Sequence, residues 1–163
     1  MTDWLRRADL SIRSEKTTRT IISTSRSAPA VGPYSQAIKA QGLVFVSGQL
    51  GLDPATHQLV VGGVEAHTER AIRNTQLVLQ AAGSDLDRVV RCVVYLTTME
   101  HFAAMNGVYE RIFDKGKPSR TTVAVSGLPR NSLVEIEATA LAGRRPFAWV
   151  LVRLATQFRR QPA

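Results

Sequence analysis

Arg120, Glu135 and Asn106 put polar chemistry where an apolar side chain would cost less. Arg120 opens a segment, Ser119 to Ser126, whose alternation sets Arg120, Thr122, Ala124 and Ser126 on one face and Thr121, Val123 and Val125 on the other. A guanidinium is permanently charged, so in such a strand it must reach solvent, a carboxylate or an anionic ligand. Glu135 and Glu137 share a face of the run Leu133 to Leu141, opposite Val134, Ile136 and Ala138; such a pair reads first as a solvated edge and second as a catalytic pair. Asn106 falls among Phe102, Met105, Tyr109, Ile112 and Phe113, the apolar stripe of an expected helix, and a buried amide needs partners.

Other chemistries lack their residues. The sequence contains no G-x-G-x-x-G, and GGV at 62–64 lacks the lysine of a phosphate-binding loop. His57, His67 and His101 are scattered and pair with no carboxylate at metal-ligand spacing, so no metal is expected. No G-x-S-x-G elbow or Ser/His/Asp order occurs. Cys92 sits in a β-branched run and reads as a small hydrophobe rather than a nucleophile.

The elements that must position these groups follow from periodicity. Thr20 to Thr24 reads as a first strand. Ser35 to Lys39 and Leu43 to Ser47, joined at Gln41-Gly42, read as a hairpin whose second strand is covered on both faces and is ended by Gly48, Gly51, Asp53 and Pro54. From Glu65, Thr68, Ala71, Ile72, Thr75, Val78, Leu79 and Ala82 recur at helical spacing, with Arg70, Arg73, Asn74 and Gln80 pointing away and Gly83 as the stop. Val89 to Leu96 is a strand, the stripe around Asn106 a second helix, and GLPRNS a turn between two final strands. The order predicts an α+β sandwich, one mixed sheet with two helices on one face. The other face needs a cover, for which self-association is the simplest source. If GLPRNS closes a simple hairpin, Glu135 faces Ala124 and lies roughly 13 Å along the strand from Arg120. The register is then irregular, or a pocket combines residues of two chains.

Composition bounds the function classes. With 163 residues and 44% hydrophobic side chains, the chain has the size of one globular domain. It lacks the apolar run of about 18 residues that a spanning helix needs. A single cysteine and the absence of a secretory h-region predict a cytoplasmic protein without disulfides. The net charge of +8 comes entirely from the ends: residues 31–143 hold 10 Lys/Arg and 10 Asp/Glu, while residues 144–163 hold 5 Lys/Arg and no acid. The balanced centre argues against a nucleic-acid site in the core and leaves only weak, salt-sensitive binding by the tails. Residues 1–18 are expected to be a disordered extension and 144–163 a basic, apolar one that docks on a subunit or lies on a membrane surface.

Four separated motifs, Ala28-Pro29-Ala30-Val31-Gly32-Pro33-Tyr34-Ser35-Gln36-Ala37, Val46-Ser47-Gly48-Gln49-Leu50-Gly51, Pro118-Ser119-Arg120 and Val134-Glu135-Ile136-Glu137-Ala138, resemble those of the RidA/YjgF family of enamine/imine deaminases. The resemblance covers about residues 19–143. It implies a chorismate mutase-like fold, a homotrimer around a β-barrel-like core, ligand pockets between subunits, and hydrolysis of 2-iminobutanoate and 2-iminopropanoate to 2-oxo acids and ammonia without metal or organic cofactor. It further implies that Arg120 binds the substrate carboxylate, Glu135 positions or activates water, Tyr34 borders the pocket, and Ser47, Gly48, Asn106 and Thr122 complete its wall. Thr122 stands where members often carry Cys, and the connection from Asn106 to Arg120 is shorter than in the enteric deaminases. Two other functions remain open on the sequence: an RNA-binding or endoribonuclease activity, and a trimer that binds small acids without turnover.

Overall fold

The computed structural model describes residues 18–114 and 116–143, so the expectations for residues 1–17 and 144–163 lie outside the described residues. Six strands, β1 (Thr20–Ile22), β2 (Ala37–Ala40), β3 (Leu43–Leu50), β4 (Val89–Leu96), β5 (Ser119–Ala124) and β6 (Val134–Leu141), form one sheet in the order β1-β2-β3-β6-β4-β5. Among the described residues two α-helices, α1 (Gly63–Ala81) and α2 (Phe102–Ile112), join this sheet in a mixed α+β fold. The β2–β3 hairpin forms at Gln41 and Gly42, whose φ values of 49° and 73° give the left-handed turn that matches strand twist. β4 and β5 are the parallel pair, joined by the α2 crossover, and the other neighbours are antiparallel.

The core lies between one sheet face and the helices. Val44, Val46, Val94, Leu96, Val134, Ile136, Ala138 and Ala140 meet Ile72, Val78 and Leu79 of α1 and Met105 and Tyr109 of α2. Thr68 and Thr75 are fully buried within the α1 stripe because each hydroxyl donates to the carbonyl four residues back, Val64 at 2.7 Å and Ala71 at 3.0 Å. Among the described residues nothing covers the opposite sheet face, and Ile21, Phe45, Val123 and Leu141 are exposed there. Among the described residues no helix is long and apolar enough to cross a membrane.

Three expectations are corrected. β5 and β6 form no hairpin: β4 lies between them, paired to β5 in parallel and to β6 antiparallel, because β4 and β5 are linked through α2. β3 does not end at Gly48 but runs to Leu50 across a register shift between Val46 and Gln49, and Phe45 leaves one of its faces open. Asn74 does not point to solvent. It is fully buried, and its Nδ2 donates to the carbonyls of Leu50 at 3.1 Å and Leu52 at 2.8 Å, satisfying backbone where β3 leaves the sheet.

Candidate functional site

Arg120 sits on β5, level with Cys92 of β4, which is level with Ala138 of β6; its side chain therefore leaves the sheet on the helix side. There, one stripe of α2 receives it. Nη2 donates to Asn106 Oδ1 at 2.7 Å, and Cζ lies 4.4 Å from the Tyr109 ring centroid and 5.9 Å from that of Phe102. Among the described residues no carboxylate forms an ion pair with Arg120. The cation instead borders a cleft of about 390 Å³ lined by Asn106, Tyr109, Glu110, Lys117, Pro118 and Arg120 itself. Lys117 closes the rim through Glu110, Nζ to Oε1 2.7 Å, and this contact holds the Glu110 carboxyl below its ordinary value.

Thr122, two residues on, faces the same side and has a buried hydroxyl without a hydrogen-bond partner among the described residues. Tyr109 is similar: its hydroxyl is buried beside the Cys92 thiol and makes no hydrogen bond there. Burial pushes both the phenol and the thiol up, so each stays protonated at neutral pH.

Glu135 belongs to a second group. On β6 it is level with Leu50 of β3 and Tyr95 of β4, and its neighbours Val134 and Ile136 are buried in the helix-side core, so it projects toward the open face. Its carboxylate lies against Gly48: a Cβ on that residue would come within 1.7 Å of Glu135 Oε1. The glycine and the strand irregularity around it thus make the room that the carboxylate occupies. Burial, and after it the like charge of Glu137, raises the Glu135 carboxyl above its ordinary value. Ser47 donates its hydroxyl to the Ser35 carbonyl at 2.8 Å. Tyr34 is exposed and its hydroxyl accepts from the Val31 amide at 3.2 Å, beside the concavity that also includes Gly48.

The structure therefore brings the sequence-derived site residues together as two groups: Arg120, Asn106 and Thr122 on the helix side, and Glu135, Gly48, Ser47 and Tyr34 around the β3–β6 pair. Within one chain the groups do not converge. Glu135 is level with Val123 through Tyr95, so Arg120 is offset three residues, roughly 10 Å, along the strands and two strand spacings, roughly 9.5 Å, across them, on the opposite face.

Residue-by-residue reading missed the supports. Gln36 is buried and donates to the carbonyls of Thr24 and Ala28 while accepting from the Thr24 amide at 2.7 Å, which ties the Tyr34 loop to the sheet. Phe102 and Tyr109 appeared only as core; their spacing of four and three residues around Asn106 was the available signal. Among the described residues no three His, Cys, Asp or Glu side chains gather as a metal-binding group.

A profile of the family described as Endoribonuclease L-PSP matches residues 25–142. The chain is 43% identical over 125 residues to the mouse 2-iminobutanoate/2-iminopropanoate deaminase, covering 77% of this chain and 93% of the mouse protein. Among solved structures it is similar to RidA from the Antarctic bacterium Psychrobacter (38% identity, TM-score 0.72, 75% of this chain and 98% of that one). It is also similar to E. coli TdcF with bound serine (32% identity, TM-score 0.72, 76% and 99%).

Proposed function

Because the chain belongs to the Endoribonuclease L-PSP family, the RidA/YjgF proteins, we propose that it hydrolyses small 2-imino or enamine acids to 2-oxo acids and ammonia. The observation that carries this reading is a half-buried guanidinium bordering a cleft and held by an amide and aromatic rings, with no described carboxylate to neutralise it. A fixed cation of this kind is completed by an anion of matching geometry, and a carboxylate accepts two parallel N–H bonds from an arginine. The bound serine of TdcF is in keeping with a small amino-acid-like ligand for this chain.

The reaction asks little of the protein beyond placement. A protonated imine carbon is already electrophilic. Water adds to it, giving up one proton to Glu135. The carboxyl group returns that proton to the amine nitrogen of the carbinolamine, the C–N bond breaks, and the hydroxyl proton passes through the carboxylate to the departing ammonia, leaving the carbonyl and ammonium. A carboxylate whose pKa is raised by burial takes that proton more readily than an ordinary one. Holding water and carbon together supplies most of the remaining acceleration.

Arg120 and Glu135 project from opposite faces of one sheet, so the proposed pocket draws Arg120, Asn106 and Thr122 from one protomer and Glu135, Gly48, Ser47 and Tyr34 from its neighbour. A homotrimer that seats the β5 edge of one protomer, which carries Arg120, against the open sheet face of its neighbour would bring the two groups together and cover Phe45, Val123 and Leu141. The test is to generate 2-iminobutanoate with an amino-acid oxidase and trap surviving imine with semicarbazide. The wild type lowers the trapped fraction and Arg120→Ala does not; equal trapping with both proteins would defeat the proposal.

A further inference from the structure

Tyr109 puts a polar group where none is needed for packing. It is 5% exposed, its ring packs on Phe113 with centroids 4.5 Å apart, and its hydroxyl, beside Cys92, has no hydrogen-bond partner among the described residues. What distinguishes the ring is its other neighbour, the Arg120 guanidinium, 4.4 Å from its centroid. Phe102 lies seven residues earlier on α2 and approaches the same guanidinium at 5.9 Å, while Asn106, between them on the stripe, takes one of its N–H groups at 2.7 Å. Positions 102, 106 and 109 fall on one face of a helix, so a single rigid element contacts the cation in three ways.

An arginine side chain left free samples many rotamers, and each costs orientation when a planar carboxylate must be met by a planar fork. Aromatic faces attract the guanidinium through their quadrupoles without consuming its donors, whereas a carboxylate partner would consume them and neutralise the charge. Asn106 spends one N–H and fixes rotation within the plane. The remaining donors stay available to the cleft.

We propose that Tyr109 and Phe102 are positioning residues that hold the Arg120 guanidinium in place with its remaining N–H groups free, ready to donate to a substrate carboxylate. The inference rests on the reading that Arg120 binds that carboxylate. It goes beyond it in assigning the orientation of the fork to aromatic stacking from α2. Because Arg120 is the group being oriented, loss of a ring weakens ligands in proportion to their negative charge and leaves neutral analogues untouched.

The experiment compares wild type, Tyr109→Leu, Tyr109→Phe, Phe102→Leu and Arg120→Ala for binding of 2-oxobutanoate and of its neutral amide by calorimetry, with thermal unfolding as the check on folding. Tyr109→Leu is expected to weaken 2-oxobutanoate by about 10- to 30-fold, the range of a desolvated cation–π contact. Tyr109→Phe should stay within about twofold of wild type because the ring face is retained. The amide should bind wild type and the three α2 variants alike, and in turnover the Tyr109→Leu loss should appear in KM rather than kcat. Equal weakening of acid and amide would mark Tyr109 as merely structural and overturn the proposal, as would an unchanged affinity for the acid. If Arg120→Ala binds the acid as wild type does, the carboxylate reading itself fails. Should Tyr109→Leu not fold, the proton on Arg120 Nε in the wild type decides the matter: ring current from Tyr109 moves its resonance upfield of exposed arginines, and a resonance at the exposed position refutes the stacking.

Discussion

Replacing Gly48 by alanine places a methyl group where the Glu135 carboxylate already lies. The new Cβ would be 1.7 Å from Oε1, 2.6 Å from Cδ and 2.9 Å from Cγ of Glu135, and no other atom is among its nearest contacts. Ordinary carbon contacts start near 3.5 Å, so Oε1 must retreat by roughly 1.8 Å. Gly48 is not among the glycines with positive φ, so alanine fits the backbone and its three closest clashes all fall on Glu135. Misplacing a catalytic group by about 1 Å costs on the order of 100-fold in rate. That is about 2.7 kcal/mol of transition-state stabilisation. Stability should fall less, near the lower end of the roughly 1–3 kcal/mol seen for overpacking, because a half-buried carboxylate can swing outward. The assay is imine hydrolysis with semicarbazide trapping, run alongside urea unfolding, for Gly48→Ala, Glu135→Ala and the double variant. The expected result is a rate loss near 100-fold for Gly48→Ala alone and no further loss when it is added to Glu135→Ala. Full activity in Gly48→Ala, or an equal additional loss in the Glu135→Ala background, would show that the contact does not position the carboxylate.

Glu137 raises the Glu135 carboxyl after burial does, so Glu137→Gln lowers it and moves the acid limb of the pH–rate profile to lower pH; a limb that moves up or stays fixed contradicts Glu135 as the group that takes the proton. His67 is buried, with Nδ1 accepting from the Leu133 amide at 3.3 Å and Nε2 facing the Val60 carbonyl at 3.1 Å, and burial holds its pKa below the ordinary 6.5. The unfolded chain takes up that proton first, so stability is full above pH 6.5 and declines as pH falls below it; His67→Gln should flatten the melting temperature between pH 7.5 and 5.5, and an unaltered slope counts against the assignment. Asn74→Leu removes the donors to the Leu50 and Leu52 carbonyls and should cost about 1–3 kcal/mol in urea unfolding, whereas a neutral result would mean that water replaces the amide.

The two helices, the β2–β3 hairpin and the buried face of β6 were legible in the sequence because each is fixed by local periodicity or turn chemistry. Thr68, Ile72, Thr75 and Leu79 repeat at helical spacing, and Gln41-Gly42 supplies the turn. What periodicity cannot report is which strand neighbours which. The alternation of β5 and β6 and the GLPRNS turn fit a hairpin, and the insertion of β4 between them follows only from the handed crossover through α2. The same limit hid Asn74, whose helical position faced away from the apolar stripe but whose partners are carbonyls of a chain segment that leaves the sheet. Arg120 and Glu135 could be named from residue type, yet their projection to opposite faces is a property of sheet order and not of either strand.

That projection makes the shared site testable without any structure of an assembly. If each pocket takes Arg120 from one protomer and Glu135 from the next, Arg120→Ala and Glu135→Ala homo-oligomers are both inactive, since every pocket in each lacks one group. When the two variants are denatured together in equal amounts and refolded, a pocket is intact wherever a Glu135→Ala chain supplies the arginine and an Arg120→Ala chain supplies the glutamate. In a closed ring with random mixing, that holds for about one quarter of the pockets. Activity should therefore recover to about a quarter of wild type, and equal mixing without refolding should recover none until subunits exchange. A pocket built within one chain predicts no recovery under either treatment, because each chain then carries its own defect. Recovery near one quarter, against none, decides between a cleft completed by a neighbour and a site that the opposite-facing side chains of a single sheet could not form.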